Sequence, residues 1–213
     1  MIRISFLTLI FIGIINSSCA QDKHENFESV MTSPGKLDTI TLGAGCFWCV
    51  EAVFQQLKGV YKVESGYSGG HVKNPTYKEV CTGNTGHAEV CQITYNPDEI
   101  SLSEILEVYW KTHDPTTLNR QGADVGTQYR SVIFYHTEEQ HKLAQEMKDR
   151  LNQAHIWDNP VVTDIQPFTN FFKAEDYHQE YYFNNTEQPY CRMVITPKIE
   201  KFKKVFADKL REK

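Results

Sequence analysis

Residues 37–57 constrain this chain most: a β-branched run, a turn of small residues, then an apolar repeat at helical spacing, with a cysteine at the join. Leu37 to Leu42 reads as a short strand, and Gly43-Ala44-Gly45 as the tight turn that ends it. Phe47, Val50, Phe54 and Leu57 then recur at helical spacing, Val53 widens the stripe, and Gly59 stops it. A helix is expected over 46–57, with Cys46 at its first position. Free backbone N–H groups and the positive end of the helix dipole converge there. Such a site favours the thiolate and is expected to lower the pKa below the free value of about 8.5. The bland alternative is a core cysteine, because cysteine is among the most buried residue types. Phe47 begins the stripe and reads as core, whereas Trp48 lies off it and reads as a pocket wall beside the thiol.

Further along, strands are expected at 60–67, 77–81, 87–95, 129–135 and 161–166. Helices are expected at 101–112, 137–154 and 174–183, and from Pro197 to about Leu210 with Thr196 as N-cap. Glycine-bearing or polar loops fall at 68–76 and 113–128, and a segment at 190–195 precedes the last helix. Strands alternating with helices predict an α/β (α+β) fold, a mixed sheet covered by helices. No second-domain boundary is visible, so 37–213 forms one domain. The last helix carries Ile199, Phe202, Val205, Phe206 and Leu210 on one stripe opposite lysines, which fits docking on the core better than a membrane-surface role.

With 12 Phe and 11 Tyr the chain can build a real core, so its cysteines are not needed as staples. A net charge of −5 without a basic stripe argues against nucleic acid as a partner. Arg3, an apolar run from Ile4 to Ile15 and Asn16-Ser17-Ser18-Cys19-Ala20 form a signal segment too short to span a membrane. Two outcomes stay open. Cleavage can follow Ala20, or Ser17-Ser18-Cys19 can act as a lipobox with Cys19 as the lipid anchor, Asn16 departing from that pattern. Either outcome exports the chain, and residues 21–36 read as a flexible tether. Setting Cys19 aside leaves Cys46, Cys49, Cys81, Cys91 and Cys191, an odd number that favours redox chemistry over a static disulfide framework.

Alternation along 87–95 puts His87, Glu89, Cys91, Ile93 and Tyr95 on one face and Ala88 and Val90 on the other. Glu89 is then a carboxyl among half-buried neighbours. Desolvation raises such a group's pKa and makes it a candidate acid, although an edge glutamate facing water is the ordinary case. Asp124 stands in the loop Arg120 to Arg130 between Gly122 and Gly126. The glycines of 65–77 are not spaced as a nucleotide-binding loop.

Seven segments, in order, carry a resemblance: Gly45-Cys46-Phe47-Trp48, Gly66-Tyr67-Ser68-Gly69-Gly70, Asn74-Pro75-Thr76-Tyr77, Gly86-His87-Ala88-Glu89, His113-Asp114-Pro115, Gly126-Thr127-Gln128-Tyr129-Arg130-Ser131 and Ala174-Glu175-Asp176-Tyr177-His178-Gln179. Together they resemble the class A peptide-methionine sulfoxide reductases across about residues 38–192. The resemblance implies a two-layer sandwich of ferredoxin-like type with an added C-terminal segment. It also implies reduction of the S-epimer of methionine sulfoxide, free or in proteins, without a cofactor or metal. Its implied roles are Cys46 as nucleophile, Glu89 as acid, and Tyr77 and Tyr129 as donors to the sulfoxide oxygen. Asp124 orients the site, and Phe47 and Trp48 wall the methyl pocket. Cys46 would pass through a sulfenic acid.

By the same resemblance Cys191 is the resolving cysteine, and a thioredoxin-like protein recycles the disulfide. The chain departs from the family in having no cysteine after Cys191 and in carrying Cys49 where many members have glycine. Cys49 could resolve Cys46 directly; Cys191 is preferred, with Cys49 as a second relay or a bystander. Cys81 and Cys91 could face each other across the 82–86 turn. Two rival readings remain: a thiol-disulfide oxidoreductase using Cys46-x-x-Cys49, and a zinc module with Cys46, Cys49, Cys81, His87 and Cys91 as ligands. A monomer is expected, and export implies a periplasmic reductant.

Overall fold

The computed structural model describes residues 36–212. The expected signal segment with Cys19 and the expected tether, up to residue 35, lie outside the described residues.

Strand β1 (Asp38–Ala44) runs into helix α1 (Phe47–Phe54), then β2 (Val60–Ser68), α2 (Tyr77–Cys81), β3 (Ala88–Tyr95) and α3 (Leu102–Thr112). A small hairpin, β4 (Arg120–Gln121) and β5 (Asp124–Val125), leads to β6 (Ser131–Tyr135) and α4 (Glu138–Gln153). Beyond it come β7 (Asp164–Pro167), β8 (Phe172–Lys173), α5 (Tyr181–Asn184), a π-helical turn at Cys191–Ile195 and α6 (Thr196–Val205). The main sheet has the order β7-β6-β1-β3-β2-β8, all antiparallel except β6 with β7. Its inner strands β6-β1-β3-β2, with α1 and α3 as crossovers, form the ferredoxin-like unit that the motifs imply. The parallel β7 and the short β8 extend its two edges. The sheet is therefore mixed, as expected.

One face of the sheet packs on the helices through Ile40, Leu42, Cys91, Ile93, Phe47, Val50, Phe54, Ile105 and Tyr109. The other face holds Ala88, Val90, Val132 and Phe134 beneath Phe168 and Phe171. Strand β3 thus divides its side chains as its alternation predicts, but both faces are buried rather than one. Tyr109 of α3 donates to the carbonyl of Gly43 at 3.2 Å and fixes the helix over the end of β1. A Cβ on Gly43 would lie 3.0 Å from the Glu89 carbonyl and 2.8 Å from the Val132 side chain. Glycine there lets β3 and β6 close on the strand end, bringing Glu89 to the start of α1. Gly45 has φ +89°, and a Cβ on it would lie 2.6 Å from that of Gln121. The second glycine seats the β4–β5 hairpin against the turn.

Several expectations are corrected. Residues 77–81 form a helix, not a strand. The reason is a capping box: the Thr76 hydroxyl accepts from Glu79 N–H at 3.3 Å, and the Glu79 carboxylate accepts from Thr76 N–H at 2.8 Å. The start of the expected strand 129–135 is displaced, because Thr127–Tyr129 makes a 3-10 turn before β6. The expected helix 174–183 breaks at Glu180, whose φ of +52° separates a 3-10 turn from α5. Thr196 caps nothing, since the π turn runs straight into α6. Cys81 is exposed at the end of α2, whereas the Cys91 thiol donates to the Phe47 carbonyl at 3.4 Å beneath α1, so the two do not face each other.

Candidate active site

The join between β1 and α1 opens onto a cavity of about 170 Å³ lined by Cys46, Phe47, Trp48, Tyr77, Glu89, Asp124, Tyr129 and Tyr190. These side chains come from separate parts of the fold: α1, α2, β3, β5, the 3-10 turn before β6, and the residue ahead of the π turn. Of the residues singled out from the sequence, Cys191 is not in the lining; it is fully buried. Tyr190 is the member that sequence reasoning missed. Only its place beside Cys191 could have flagged it. A larger hollow of 660 Å³ between α3 and α6 contains Lys111, Lys198 and Trp157 but no thiol.

Glu89 is 1% exposed, and its Oε2 accepts the Phe47 N–H at 3.1 Å. Burial pushes its carboxyl up to about 8, outweighing that hydrogen bond. At neutral pH the group carries a proton within the cavity.

Cys46 is the N-cap of α1, but its side chain caps no backbone N–H. Burial pushes its thiol well above the ordinary value, and the neighbouring Cys49 and Glu89 act in the same direction. The expected resting thiolate is thereby overturned. A helix terminus is worth about 0.3–1 kcal/mol, whereas full burial can shift a group by several pH units. The first N–H of the helix is moreover taken by Glu89. The neighbouring Cys49 is drawn down to about 7, chiefly by Cys46. The Tyr190 hydroxyl, which lines the cavity with Cys46, donates to Asp124 Oδ2 at 2.7 Å.

The aromatic wall is held from behind. Trp48 stacks on Tyr181 with ring centroids 3.6 Å apart, and its Nε1 donates to His178 Nδ1 at 3.1 Å. His178, noticed only as part of a longer segment, also packs against Phe47 and Tyr77 at 5.0 and 4.5 Å between centroids. Glu175 accepts from the Tyr77 N–H at 2.9 Å and from the Tyr67 hydroxyl at 2.9 Å, anchoring the start of α2. Burial pushes the Tyr77 and Tyr129 hydroxyls up, so both remain donors at any physiological pH.

The grouping required for a zinc module does not assemble. His87 is committed on both ring nitrogens, to Gly70 N–H at 3.0 Å and the Val72 carbonyl at 2.7 Å. Among the described residues no three metal-ligating side chains converge.

A buried thiol, a protonated carboxyl and tyrosine hydroxyls around one small apolar cavity define a cysteine-based redox site. The sequence profile of the family described as peptide methionine sulfoxide reductase matches residues 38–210. Peptide methionine sulfoxide reductase MsrA of Saccharolobus solfataricus is 56% identical over 175 residues, covering 82% of this chain and 98% of that protein. The MsrA of Deinococcus radiodurans is 51% identical over 197 residues, covering 92% and 94%. Among solved structures, reduced Mxr1 of Saccharomyces cerevisiae superposes with a TM-score of 0.67 at 37% identity, covering 74% of this chain and 91% of that one. Methionine sulfoxide reductase A of Corynebacterium diphtheriae gives 0.65 at 32%, covering 73% and 78%. The chain belongs to the peptide methionine sulfoxide reductase family, and it is an oxidoreductase that reduces methionine sulfoxide.

Proposed function

We propose that the chain acts on the S-epimer of methionine sulfoxide, free or in proteins, with Cys46 as nucleophile and Glu89 as the acid. The observation that carries this reading is Glu89: a carboxyl still protonated near neutrality, bound to the amide of the residue after Cys46. A sulfoxide sulfur is electrophilic but its oxygen leaves poorly, so the site needs a sulfur nucleophile, a proton for the oxygen and donors to hold it. Tyr77 and Tyr129 supply the donors, and Phe47 and Trp48 face the methyl group. Asp124 acts through Tyr190, whose hydroxyl it holds in the cavity that Cys46 also lines. The Cys46 proton passes to Cys49 as the sulfur attacks, which explains how a nucleophile can work from a thiol that is neutral at rest. Methionine leaves, and Cys46 holds the oxygen as a sulfenic acid.

Cys191 and a thioredoxin-like dithiol protein complete the cycle by carrying two electrons to Cys46. Residues 1–20 export the chain, by cleavage after Ala20 or by lipid anchoring at Cys19, and the exported chain is a periplasmic monomer. Separate reactions of the reduced protein with each epimer of N-acetylmethionine sulfoxide test the substrate reading. Methionine release from the S-epimer alone is expected, and equal release from both would reject the preference. Cell fractionation with palmitate labelling distinguishes the two fates of Cys19.

A further inference from the structure

We propose that the hollow between α3 and α6 is a second binding site, separate from the active cavity, for a small organic anion with a flat apolar body, such as an aryl carboxylate. Its volume is about 660 Å³, in the range of small-molecule sites, against about 170 Å³ around Cys46. Lys198, Lys201, Phe202, Val205 and Phe206 follow one another at helical spacing along α6 and its end, and all of them line the hollow. Phe202 and Phe206 are buried and hold the helix on the core, while Trp157 adds a third aromatic ring to the lining. Flat apolar surface and ammonium groups therefore meet in one place.

The charge of this lining is opposite to that of the chain. The protein carries a net −5, yet the hollow holds Lys111, Lys198 and Lys201 against the single carboxylate of Asp114. Two of these charges are already matched. Lys111 pairs with Glu107 Oε1 at 2.7 Å, and Asp114 Oδ1 accepts from the Thr116 N–H at 2.9 Å and from the Thr116 hydroxyl at 2.6 Å. Lys198 and Lys201 are not: neither forms an ion pair or a side-chain hydrogen bond among the described residues. Lys198 is moreover half-buried. An ammonium group drawn part-way out of water without a counter-charge is costly, and an anion in the hollow supplies the missing partner. The two lysines stand three residues apart, close enough on one helix face for a single oxyanion head to meet both.

The site is distinct from the one that reduces methionine sulfoxide. The two linings share no residue, and Gln121 stands between them. Its side-chain amide grips the backbone of Asp114, donating to the carbonyl at 3.0 Å and accepting from the N–H at 3.2 Å, while its strand partner Asp124 lines the other cavity. An anion between α3 and α6 thus leaves the space around Cys46 open to substrate.

The test titrates 2-naphthoate into the full chain and follows binding by calorimetry. One molecule per chain is expected, with a dissociation constant on the order of 0.1–1 mM, the range open to a ligand of this size. On the same wild-type protein, 2-naphthylmethanol keeps the rings without the charge and acetate keeps the charge without the rings, and each should bind at least about tenfold more weakly. Replacing both lysines, Lys198→Gln with Lys201→Gln, should weaken naphthoate by about ten- to a hundredfold. The comparison of the three ligands on wild type stands whether or not that variant folds. Saturating naphthoate should leave the KM for N-acetylmethionine sulfoxide unchanged. Equal affinity for naphthoate and its alcohol, or undiminished binding to a folded double variant, overturns the proposal. So does a KM that rises in proportion to naphthoate, which would place the anion beside Cys46 instead.

Discussion

Replacing Glu89 by glutamine separates its chemical role from its structural one, because the two effects have opposite signs. Glutamine keeps the shape, and its amide oxygen can still accept the Phe47 N–H now received at 3.1 Å. It cannot release a proton. The Glu89 carboxyl is raised from 4.5 to about 8, so about nine-tenths of chains carry the proton at pH 7. General acid catalysis is worth roughly 10²–10⁴ in rate, and E89Q should lose about that much from methionine formation in a single turnover. Wild-type activity should fall as the pH rises through about 8, a limb absent from the variant.

For stability the sign runs the other way. A carboxyl whose folded pKa is raised contributes fully below its unfolded value and loses that contribution as pH rises toward the folded one. Each pH unit between the two is worth about 1.4 kcal/mol, so ionisable Glu89 costs the native state about 3 kcal/mol at pH 7. E89Q should therefore unfold at higher urea than wild type at pH 7, with the difference nearly gone by pH 4.5. Rapid quench with chromatographic methionine detection gives the rate, and urea titration at several pH values gives the stability. A variant within a few fold of wild-type rate, or one no more stable at pH 7, would refute both the acid role and the protonated state behind it.

Three other substitutions probe the remaining parts. Cys46→Ser should abolish methionine formation even in a single turnover; substantial residual activity would reject Cys46 as the nucleophile. Tyr77→Phe and Tyr129→Phe each remove one donor from the cavity, and each should lower kcat by about a hundredfold with little change in KM. Unchanged kcat in both would leave the oxygen without its supposed holders. Thr76→Ala removes the capping box of α2 and should cost about 1 kcal/mol in urea unfolding, with no loss counting against the cap.

The join of β1 and α1 could be read from the sequence because it is local: β-branched residues, two glycines and one apolar stripe settle it without help from distant segments. The face on which Glu89 lies was equally readable, since alternation along β3 needs no partner. Its near-complete burial was not, because that depends on β2, β6 and the Phe168–Phe171 segment closing both sides of the sheet. The protonation of Cys46 failed for the same reason. A helix start visible in a dozen residues favours the thiolate, while Tyr190, more than a hundred residues away, helps to shut the water out. The Thr76-x-x-Glu79 signature of α2 stands in the sequence as a capping box, whereas the five residues after Thr76 are too few to show a period. Tyr190 and His178 carry no local mark at all, and only the tertiary fold reveals what they touch.

Cys81 alters how thiol-blocking assays of this enzyme should be interpreted. It is exposed while the other four cysteines among the described residues are buried, and it lies one turn of α2 from Tyr77. A reagent applied from solution will meet it first, and a bulky adduct there pushes on a side chain of the cavity wall. Inactivation by iodoacetamide or maleimide would then register damage at the rim without the central sulfur having reacted. Running the same titration on Cys81→Ala separates the two events.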